Sequence, residues 1–173
     1  MIPVKQHIAE AVTICRVPNR MTDMDFRHTS IVIAIDDAGS AGRALDRGLE
    51  LAEALRLPVR LVHVARLSQA HSADVRRIHI ADIEQAAGGQ PEFELAADLL
   101  NRSLARAGER EVEIEPVLLG GEPADALLRY LKECDRPILV MGRRGQGRLA
   151  ELLLGSVSDQ VIRHAECPVM VVS

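Results

Sequence analysis

Short runs of β-branched and aliphatic residues alternate with longer segments of helical periodicity along most of this chain. The run SIVIAI at residues 30–35 predicts a buried strand, and VRLVHV at residues 59–64 predicts a second one. Between them, apolar residues from position 44 to position 55 recur at spacings of three and four, which is typical of an amphipathic helix. Because strands that alternate with helices pair in parallel through right-handed crossovers, the sequence predicts a layered α/β fold.

The remaining elements continue in the same order. Further strands are predicted at residues 111–118, 138–141 and 169–172, and further helices at residues 91–107, 124–133 and 156–164. Pro116, near the end of the third strand, favours a sheet edge for that strand, since proline cannot donate to a ladder. We therefore expect a single-domain, Rossmann-like sheet of five mainly parallel strands flanked by helices.

Two segments fall outside this regular order. Residues 1–27 are interpreted as an N-terminal arm, with a short helix around residues 6–15, and residues 28–173 as the folded domain. The segment from 66 to 90 is less regular, although residues 74–85 have helical character.

Composition restricts the class of partner. Apolar residues make up 47% of the 173 residues, but only two Phe and one Tyr are present, so the core must be aliphatic. The formal net charge of −4 and the absence of Trp argue against a nucleic-acid partner. No run approaches the roughly 18 apolar residues of a membrane span, and the N-terminal segment lacks the apolar stretch of a signal peptide. Since the three cysteines are also scattered without CxxC spacing, we predict a soluble, cytoplasmic protein.

A glycine motif follows the fourth predicted strand. Gly142 and Gly145 are separated by two residues, and Gly155-Ser156 follows after nine more, at the start of a predicted helix. Glycine lets the backbone approach an anion without a Cβ in the way, and a helix N-terminus adds unpaired N–H groups and about half a positive charge. The spacing therefore predicts a phosphate-binding loop. The hydroxyls of Ser156 and Ser158 can donate to phosphate or help to hold a hydrated Mg²⁺.

An acidic pair, Asp36-Asp37, follows the first predicted strand. In sheets of this class, ligands bind beyond the carboxyl ends of the strands, at the point where the strand order reverses. If the first and fourth strands are neighbours, Asp36 lies beside the glycine motif, and the two loops predict one binding site.

Several motifs, in order along the chain, together resemble the universal stress protein family over residues 29–173. They lie at residues 31–36 with Ala44-Leu45, at 61–64, at 120–124, at 138–142 leading into the spacing G-x2-G-x9-G-S, and at 167–172. Any one of these pieces is weak, whereas the ordered set is specific. The resemblance implies the adenine nucleotide alpha hydrolase-like form of the fold.

The resemblance also implies roles for the candidate residues. Asp36 is expected to contact the adenosine portion of ATP, Val64 to border the adenine, and Gly142 to lie by the ribose. Gly145, Gly155, Ser156 and Ser158 are expected around the phosphates. The full set of candidate nucleotide-binding residues is Ala34, Asp36, Val64, Met141, Gly142, Arg144, Gly145, Gly155, Ser156, Val157 and Ser158. The implied ligand is ATP, together with Mg²⁺.

These features lead to two hypotheses of function. In the first, the chain is a regulatory module that binds ATP; no catalytic residue is assigned and no general base is evident near the phosphates, so hydrolysis is slow at most. In the second, it is an interaction module that binds little nucleotide and docks on a transporter or another protein. Arg143-Arg144, more basic than the residues common there in the family, favours the first hypothesis. Asp37-Ala38, where the family often has Gly-Ser, and the N-terminal arm favour the second.

Other nucleotide chemistries fit the sequence less well. Residues 145–150 match the relaxed dinucleotide pattern G-x-G-x-x-A, but Glu166 precedes the next strand instead of ending it, and three residues separate the pattern from the strand before it. The P-loop pattern G-x4-G-K-[ST] is absent. An adenylyl-transfer enzyme would need a second substrate site, which no motif indicates.

The remaining reactive side chains have structural interpretations. His63, inside a predicted strand, is expected to be a packed, hydrogen-bonded core residue. His71 and His79 are eight positions apart, which matches no compact ligand spacing, so we predict no metal site. Cys134 and Cys167 are expected to be small buried residues.

The last predicted strand bears on assembly. Residues 169–172 are apolar and short, with only Ser173 after them, which predicts an uncovered sheet edge. Two such strands can pair antiparallel across a two-fold axis, and the family resemblance implies the same homodimer. The alternative is a monomer in which residues 1–27 cover the edge.

Overall fold

The computed structural model describes residues 28–36, 39–66, 91–143 and 155–173. Strands and helices alternate through these ranges. In chain order they are β1 (Ser30–Ala34), α1 (Gly39–Leu55), β2 (Val59–Ala65), α2 (Pro91–Ala107), β3 (Ile114–Gly120), α3 (Pro123–Glu133), β4 (Pro137–Gly142), α4 (Ser156–His164) and β5 (Val169–Val172). The arm at residues 1–27 and the segment at 74–85 lie outside the described residues.

The five strands form one parallel sheet in the order β3-β2-β1-β4-β5. This order confirms the predicted α/β sheet. It places β3, which carries Pro116, at one edge and β5 at the other. The chain therefore builds outward from β1 in one direction, returns to β4 on the other side of β1, and ends at β5.

Two apolar cores cover the two faces of the sheet. Ile31 and Ile33 of β1 point into the core beneath α1 and α2, whereas Val32 points into the core beneath α3 and α4. This alternation follows from the period of two along a strand. Both cores are mainly aliphatic, with Phe93 in the first and Tyr130 in the second.

A glycine in α1 sets the distance between this helix and the sheet. A Cβ placed on Gly48 would lie 2.5 Å from Cδ1 of Ile33. A side chain at this position would therefore require Ile33 or α1 to shift. The small residue inside the helical pattern is explained by close packing and not by a turn.

The strand boundaries differ from the predicted ones most clearly in β3. It begins at Ile114, whereas the alternating pattern predicted a start at residue 111. The Val59 N–H donates to the Glu113 carbonyl at 2.8 Å, and the first ladder pair is Val59 with Ile114. Pro58 precedes Val59 and has no N–H, so the ladder does not continue to residue 111. At its other end β3 reaches Gly120, and Gly121 turns the chain towards α3 with φ +125, a conformation that favours glycine.

Candidate functional site

The sheet reverses its strand order between β1 and β4. These two strands are neighbours, but the chain leaves β1 towards β2 and leaves β4 towards β5. The connections that follow them therefore separate and open a crevice beyond their carboxyl ends. Ala34 lies opposite Met141 at the last register pair of the two strands, so both predicted residues lie at the floor of this crevice.

The first wall of the crevice is the end of β1 and the neighbouring end of β2. Beyond the last ladder pair, the N–H of Ile35 still donates to the carbonyl of Val62 at 2.9 Å. The half-buried ring of His63 lies with Nδ1 2.9 Å from the Ile35 carbonyl oxygen. Asp36 and Val64, the next residues along the two strands, are each half-buried at the same end of the sheet.

The second wall is built by the residues on either side of the glycine loop. The Arg143 N–H donates to the carbonyl of Val172 at 2.7 Å, which continues the β4–β5 ladder past Gly142. The Gly155 N–H then donates to the Arg143 carbonyl at 2.9 Å. The two ends of the loop are thus joined directly through their backbones.

Ser158 contributes to this closure from inside the helix. Its hydroxyl lies 2.8 Å from the Arg143 carbonyl oxygen and 2.9 Å from that of Gly155, and the residue is only 2% exposed. Both neighbours are acceptors, so the single hydroxyl proton is directed to them. The sequence interpretation placed Ser158 around the phosphates; in the structure its hydroxyl binds the loop backbone.

The N-terminus of α4 follows the glycine loop directly and carries N–H groups that are not bonded within the helix. The first bond within this helix runs from the Asp159 N–H to the Gly155 carbonyl at 2.9 Å. The N–H groups of Ser156, Val157 and Ser158 therefore have no acceptor earlier in the helix. Gly155 makes no side-chain cap. Ser156 is exposed and Val157 half-buried, so this turn can offer N–H groups to an anion.

Gly155 itself has an ordinary backbone conformation, with φ −63 and ψ 155. Any amino acid adopts these angles, so glycine is not required here for positive φ.

One acidic side chain, Asp159, lies in the first turn of α4 and is held by a cation. Arg163 donates to both of its carboxylate oxygens, at 2.9 and 3.0 Å. These hydrogen bonds, more than the accompanying charge attraction, lower the pKa of the Asp159 carboxyl. The ion pair also offsets the repulsion that a lone carboxylate would exert on an anion at this helix end.

A groove of about 230 Å³ between α1 and α2 reaches Asp36 from the other face of the sheet. Its two arginines are paired. Arg106 contacts Asp46 at 2.7 Å, and Arg102 contacts Asp98 at 3.0 Å. The positive charges of the groove are therefore directed to carboxylates of the protein itself.

The structure brings most of the predicted site residues to one end of the sheet. These are Ala34, Asp36, Val64, Met141, Gly142, Gly155, Ser156, Val157 and Ser158. Arg144 and Gly145 lie outside the described residues, as do Asp37-Ala38, His71 and His79.

Sequence reasoning identified His63 only as a core residue and missed what Ser158 does. The hydrogen bond of His63 confirms the predicted bonded histidine, but its partner, the Ile35 carbonyl just beyond the end of β1, was not foreseen. For Ser158 a signal was available, since a serine hydroxyl in a helix can donate to the backbone carbonyl three residues earlier.

The described residues hold neither a cluster of metal ligands nor a membrane-spanning helix. Within those ranges, no three His, Cys, Asp or Glu side chains come together as potential metal ligands. No helix in the same part of the chain has the length and apolar character needed to cross a membrane.

Comparison with known proteins gives consistent matches. The sequence model of the universal stress protein family matches residues 28–173. A universal stress protein of Mycobacterium tuberculosis is 30% identical over 146 residues, which cover 84% of this chain and 96% of the relative. The universal stress protein UspA of Lactobacillus plantarum superimposes with a TM-score of 0.66 at 20% identity, over 85% of this chain and 99% of that one. A universal stress protein solved in complex with cAMP gives a TM-score of 0.56 at 25% identity, over 84% and 97% of the two chains.

Proposed function

Because this chain belongs to the universal stress protein family, we propose that it is a regulatory module that binds ATP between the loop after β1 and the glycine loop after β4. The observation that carries the proposal is the closed loop at the switch point. The carbonyl of Arg143 accepts the N–H of Gly155, and the first-turn N–H groups of α4, which have no acceptor earlier in the helix, follow immediately. A phosphate chain fits this arrangement, because helix N-terminal N–H groups bind anionic oxygens.

In this proposal the nucleoside occupies the β1 side of the crevice. Asp36 binds the adenosine portion, Val64 borders the adenine, and Gly142 lies by the ribose. Ala34 and Met141, opposite each other in the ladder, form the floor. The half-buried positions of Asp36 and Val64 support the assignment, since a ligand can reach both residues.

The phosphates occupy the α4 side. Ser156, which is exposed, offers its hydroxyl and its backbone N–H, and Val157 offers its N–H. Arg144 and Gly145 are assigned to the same end on their place in the spacing. A Mg²⁺ ion would be carried by phosphate oxygens and water, with the Ser156 hydroxyl as a nearby oxygen donor.

The solved complex with cAMP supports an adenine nucleotide as the ligand class, since that protein shares the family and the fold. A triphosphate is preferred for this chain because both the start of the glycine loop and the N-terminus of α4 offer anion contacts. One phosphate would not need both.

Regulation, and not rapid catalysis, is the proposed use of the nucleotide. Near the phosphate end, within the described ranges, Asp159 is the acidic side chain of the first turn of α4, and Arg163 holds both of its oxygens. A carboxylate engaged in this way is a weak general base. We therefore expect hydrolysis to be slow at most, and we assign no catalytic residue.

A second candidate function is a nucleotide-independent interaction module that docks on a transporter or another protein. The observation in its favour is the sequence Asp37-Ala38, where the family often has Gly-Ser directly after the aspartate.

We also propose a cytoplasmic location and a homodimer formed through β5, with residues 1–27 as an arm outside the domain.

Two measurements separate the candidates. Protein purified without added nucleotide is first denatured, and the released material is examined for adenine absorbance and chromatographic identity. Titration calorimetry of the stripped protein with adenosine, AMP, ADP, ATP and cAMP then ranks the ligands. Tightest binding of ATP supports the proposal. A folded protein that releases no nucleotide and gives no heat with any of the five ligands contradicts it and favours the interaction module.

A further inference from the structure

The ring of His63 joins the two strand ends that are proposed to hold the nucleoside. It precedes Val64 in β2, and its Nδ1 lies 2.9 Å from the carbonyl oxygen of Ile35, the residue before Asp36. One side chain thus links the neighbours of both nucleoside contacts.

The partner of His63 fixes which ring nitrogen carries a proton. A carbonyl oxygen only accepts hydrogen bonds, so Nδ1 must be the donor to Ile35. The neutral ring is therefore assigned the tautomer with its proton on Nδ1 and with Nε2 as the acceptor.

A hydrogen bond to the Ile35 carbonyl fixes the backbone at the point where the chain leaves the sheet. The β1–β2 ladder ends at the pair Ala34 and Val62. Ile35 lies one residue further and is only 6% exposed. Its N–H is still held by the Val62 carbonyl at 2.9 Å, and the His63 ring holds its C=O. Both backbone polar groups of this residue are thereby fixed, and with them the direction in which the chain continues to Asp36.

We propose that His63 is a positioning residue of the nucleotide site, whose Nδ1–H holds the Ile35 carbonyl and so sets Asp36 relative to Val64. The inference rests on the proposed function. It assigns to His63 an effect on the nucleoside end of the ligand and none on the phosphate end, because the bond lies on the β1 side of the crevice.

The test uses three substitutions and one control in the full chain. His63→Asn keeps an N–H donor near the position of Nδ1, whereas His63→Gln moves the amide towards the position of Nε2, and His63→Leu removes the donor. Val59→Ala is the control, because Val59 is buried on the same face of β2 at the opposite end of the strand. It lowers stability without reaching the crevice. Affinity for adenosine and for ATP is measured by calorimetry well below each melting temperature.

We expect the Leu and Gln substitutions to weaken the binding of adenosine and of ATP by the same factor. That factor is roughly three- to tenfold, which corresponds to the net free energy of one hydrogen bond. His63→Asn should restore most of the affinity, and Val59→Ala should leave it within about twofold of wild type. Equal affinity in wild type, Leu and Gln variants overturns the inference. So does a loss confined to ATP. If wild type itself binds neither ligand, the proposed function fails and not merely the role of His63.

A spectroscopic measurement keeps the inference testable if the Leu and Gln variants do not fold. Long-range ¹H–¹⁵N spectra of wild type distinguish the two histidine tautomers without any substitution. A His63 ring with its proton on Nδ1 supports the inference, and one with its proton on Nε2 overturns it.

Discussion

The hydroxyl of Ser158 lies 2.8 Å from the carbonyl oxygen of Arg143, fifteen positions earlier in the chain. The same carbonyl accepts the Gly155 N–H at 2.9 Å. One backbone oxygen just past β4 therefore accepts two hydrogen bonds, one from the Gly155 N–H and one from the Ser158 hydroxyl. The loop between residues 143 and 155 is closed at its base by the protein itself, before any ligand contributes.

This closure predicts that Ser158 and Ser156 have different roles. Ser158→Ala should lower the free energy of unfolding by about 1 kcal/mol, the net value of a buried hydrogen bond, because the Arg143 carbonyl keeps its second donor. Ser156→Ala is the matched control, with the same chemical change at an exposed position of the same turn. It should change the free energy of unfolding by less than about 0.5 kcal/mol and weaken ATP binding. Chemical denaturation and calorimetry of both variants measure this. Loss of stability in the Ser156 variant instead of the Ser158 variant would reverse the two assignments.

Gly155→Val is expected to abolish nucleotide binding and to leave the fold intact. The observed φ of −63 is accessible to valine, so backbone strain does not enter. The β-branched side chain would instead occupy space beside the N–H groups of the α4 terminus. Circular dichroism and ATP titration test this, and Gly155→Ala should give an intermediate loss. Wild-type ATP affinity in a folded valine variant would show that glycine at position 155 is not needed for nucleotide binding.

The glycine spacing and the alternation of strands and helices were sufficient to predict the sheet and to bring two loops to one site. The helix Pro91–Ala107, the helix Ser156–His164 and the strand Val169–Val172 have the bounds that were predicted. These elements are strongly periodic or end at clear breaks in the pattern, so local sequence is enough to define them.

The hydrogen bonds within the site could not be predicted in the same way. Whether Ser158 faces a ligand or the Arg143 carbonyl depends on how the loop closes, and a spacing rule does not contain that geometry. The partner of His63 depends on register, because Ile35 lies beside it only when Ala34 pairs with Val62. Such contacts join residues far apart in sequence, and they arise from tertiary packing.

Replacing both Arg143 and Arg144 with Ala should weaken ATP more than adenosine. A charge-assisted hydrogen bond to phosphate is worth roughly 1.5–3 kcal/mol, and less where it is exposed to water. The Arg143 backbone, which closes the loop, is unchanged by this substitution. Calorimetry with both ligands compares the losses. An equal loss for ATP and adenosine would mean that the arginines act through loop structure and not through phosphate charge.

Because the thiol of Cys167 is buried, we expect the free energy of unfolding to decrease at alkaline pH. Burial, as the main cause, raises the pKa of its thiol from 9.0 to about 11. Between these values the unfolded chain loses the thiol proton while the folded protein keeps it, so stability falls as pH rises, by of order 2 kcal/mol at most. Below pH 9 the effect is absent. Denaturant unfolding at pH 8 and at pH 10.5 measures the difference, which should be smaller in Cys167→Ala. An equal decrease in the two proteins would contradict the assignment.

The hydrogen-bond pattern of β5 defines which of its backbone groups face outward. Leu139 donates to the Pro168 carbonyl at 2.9 Å, and Arg143 donates to the Val172 carbonyl at 2.7 Å. In a parallel ladder, alternate residues of a strand bond to opposite sides. Met170 and Val172 therefore bond to β4, and the N–H of Val171 points away from it. In the sheet as described, β5 is the edge strand on this side, so the outward groups can pair with a second copy of the chain.

Val171→Pro should convert the proposed homodimer into a monomer and keep the hydrogen bonds of the β4–β5 ladder, with a modest loss of stability because the Val171 side chain is buried in the core. Proline removes the outward N–H of residue 171 and keeps the inward bonds of Met170. Met170→Pro is the contrasting variant, because it removes a donor to β4 and should destabilise the fold itself. Light scattering measures mass, and thermal unfolding separates the two effects. If the full chain is a monomer and a chain without residues 1–27 is a dimer, the arm covers the edge of the sheet. Two uncovered β5 strands can pair across a two-fold axis. A dimer that survives Val171→Pro would place the interface elsewhere on the molecule.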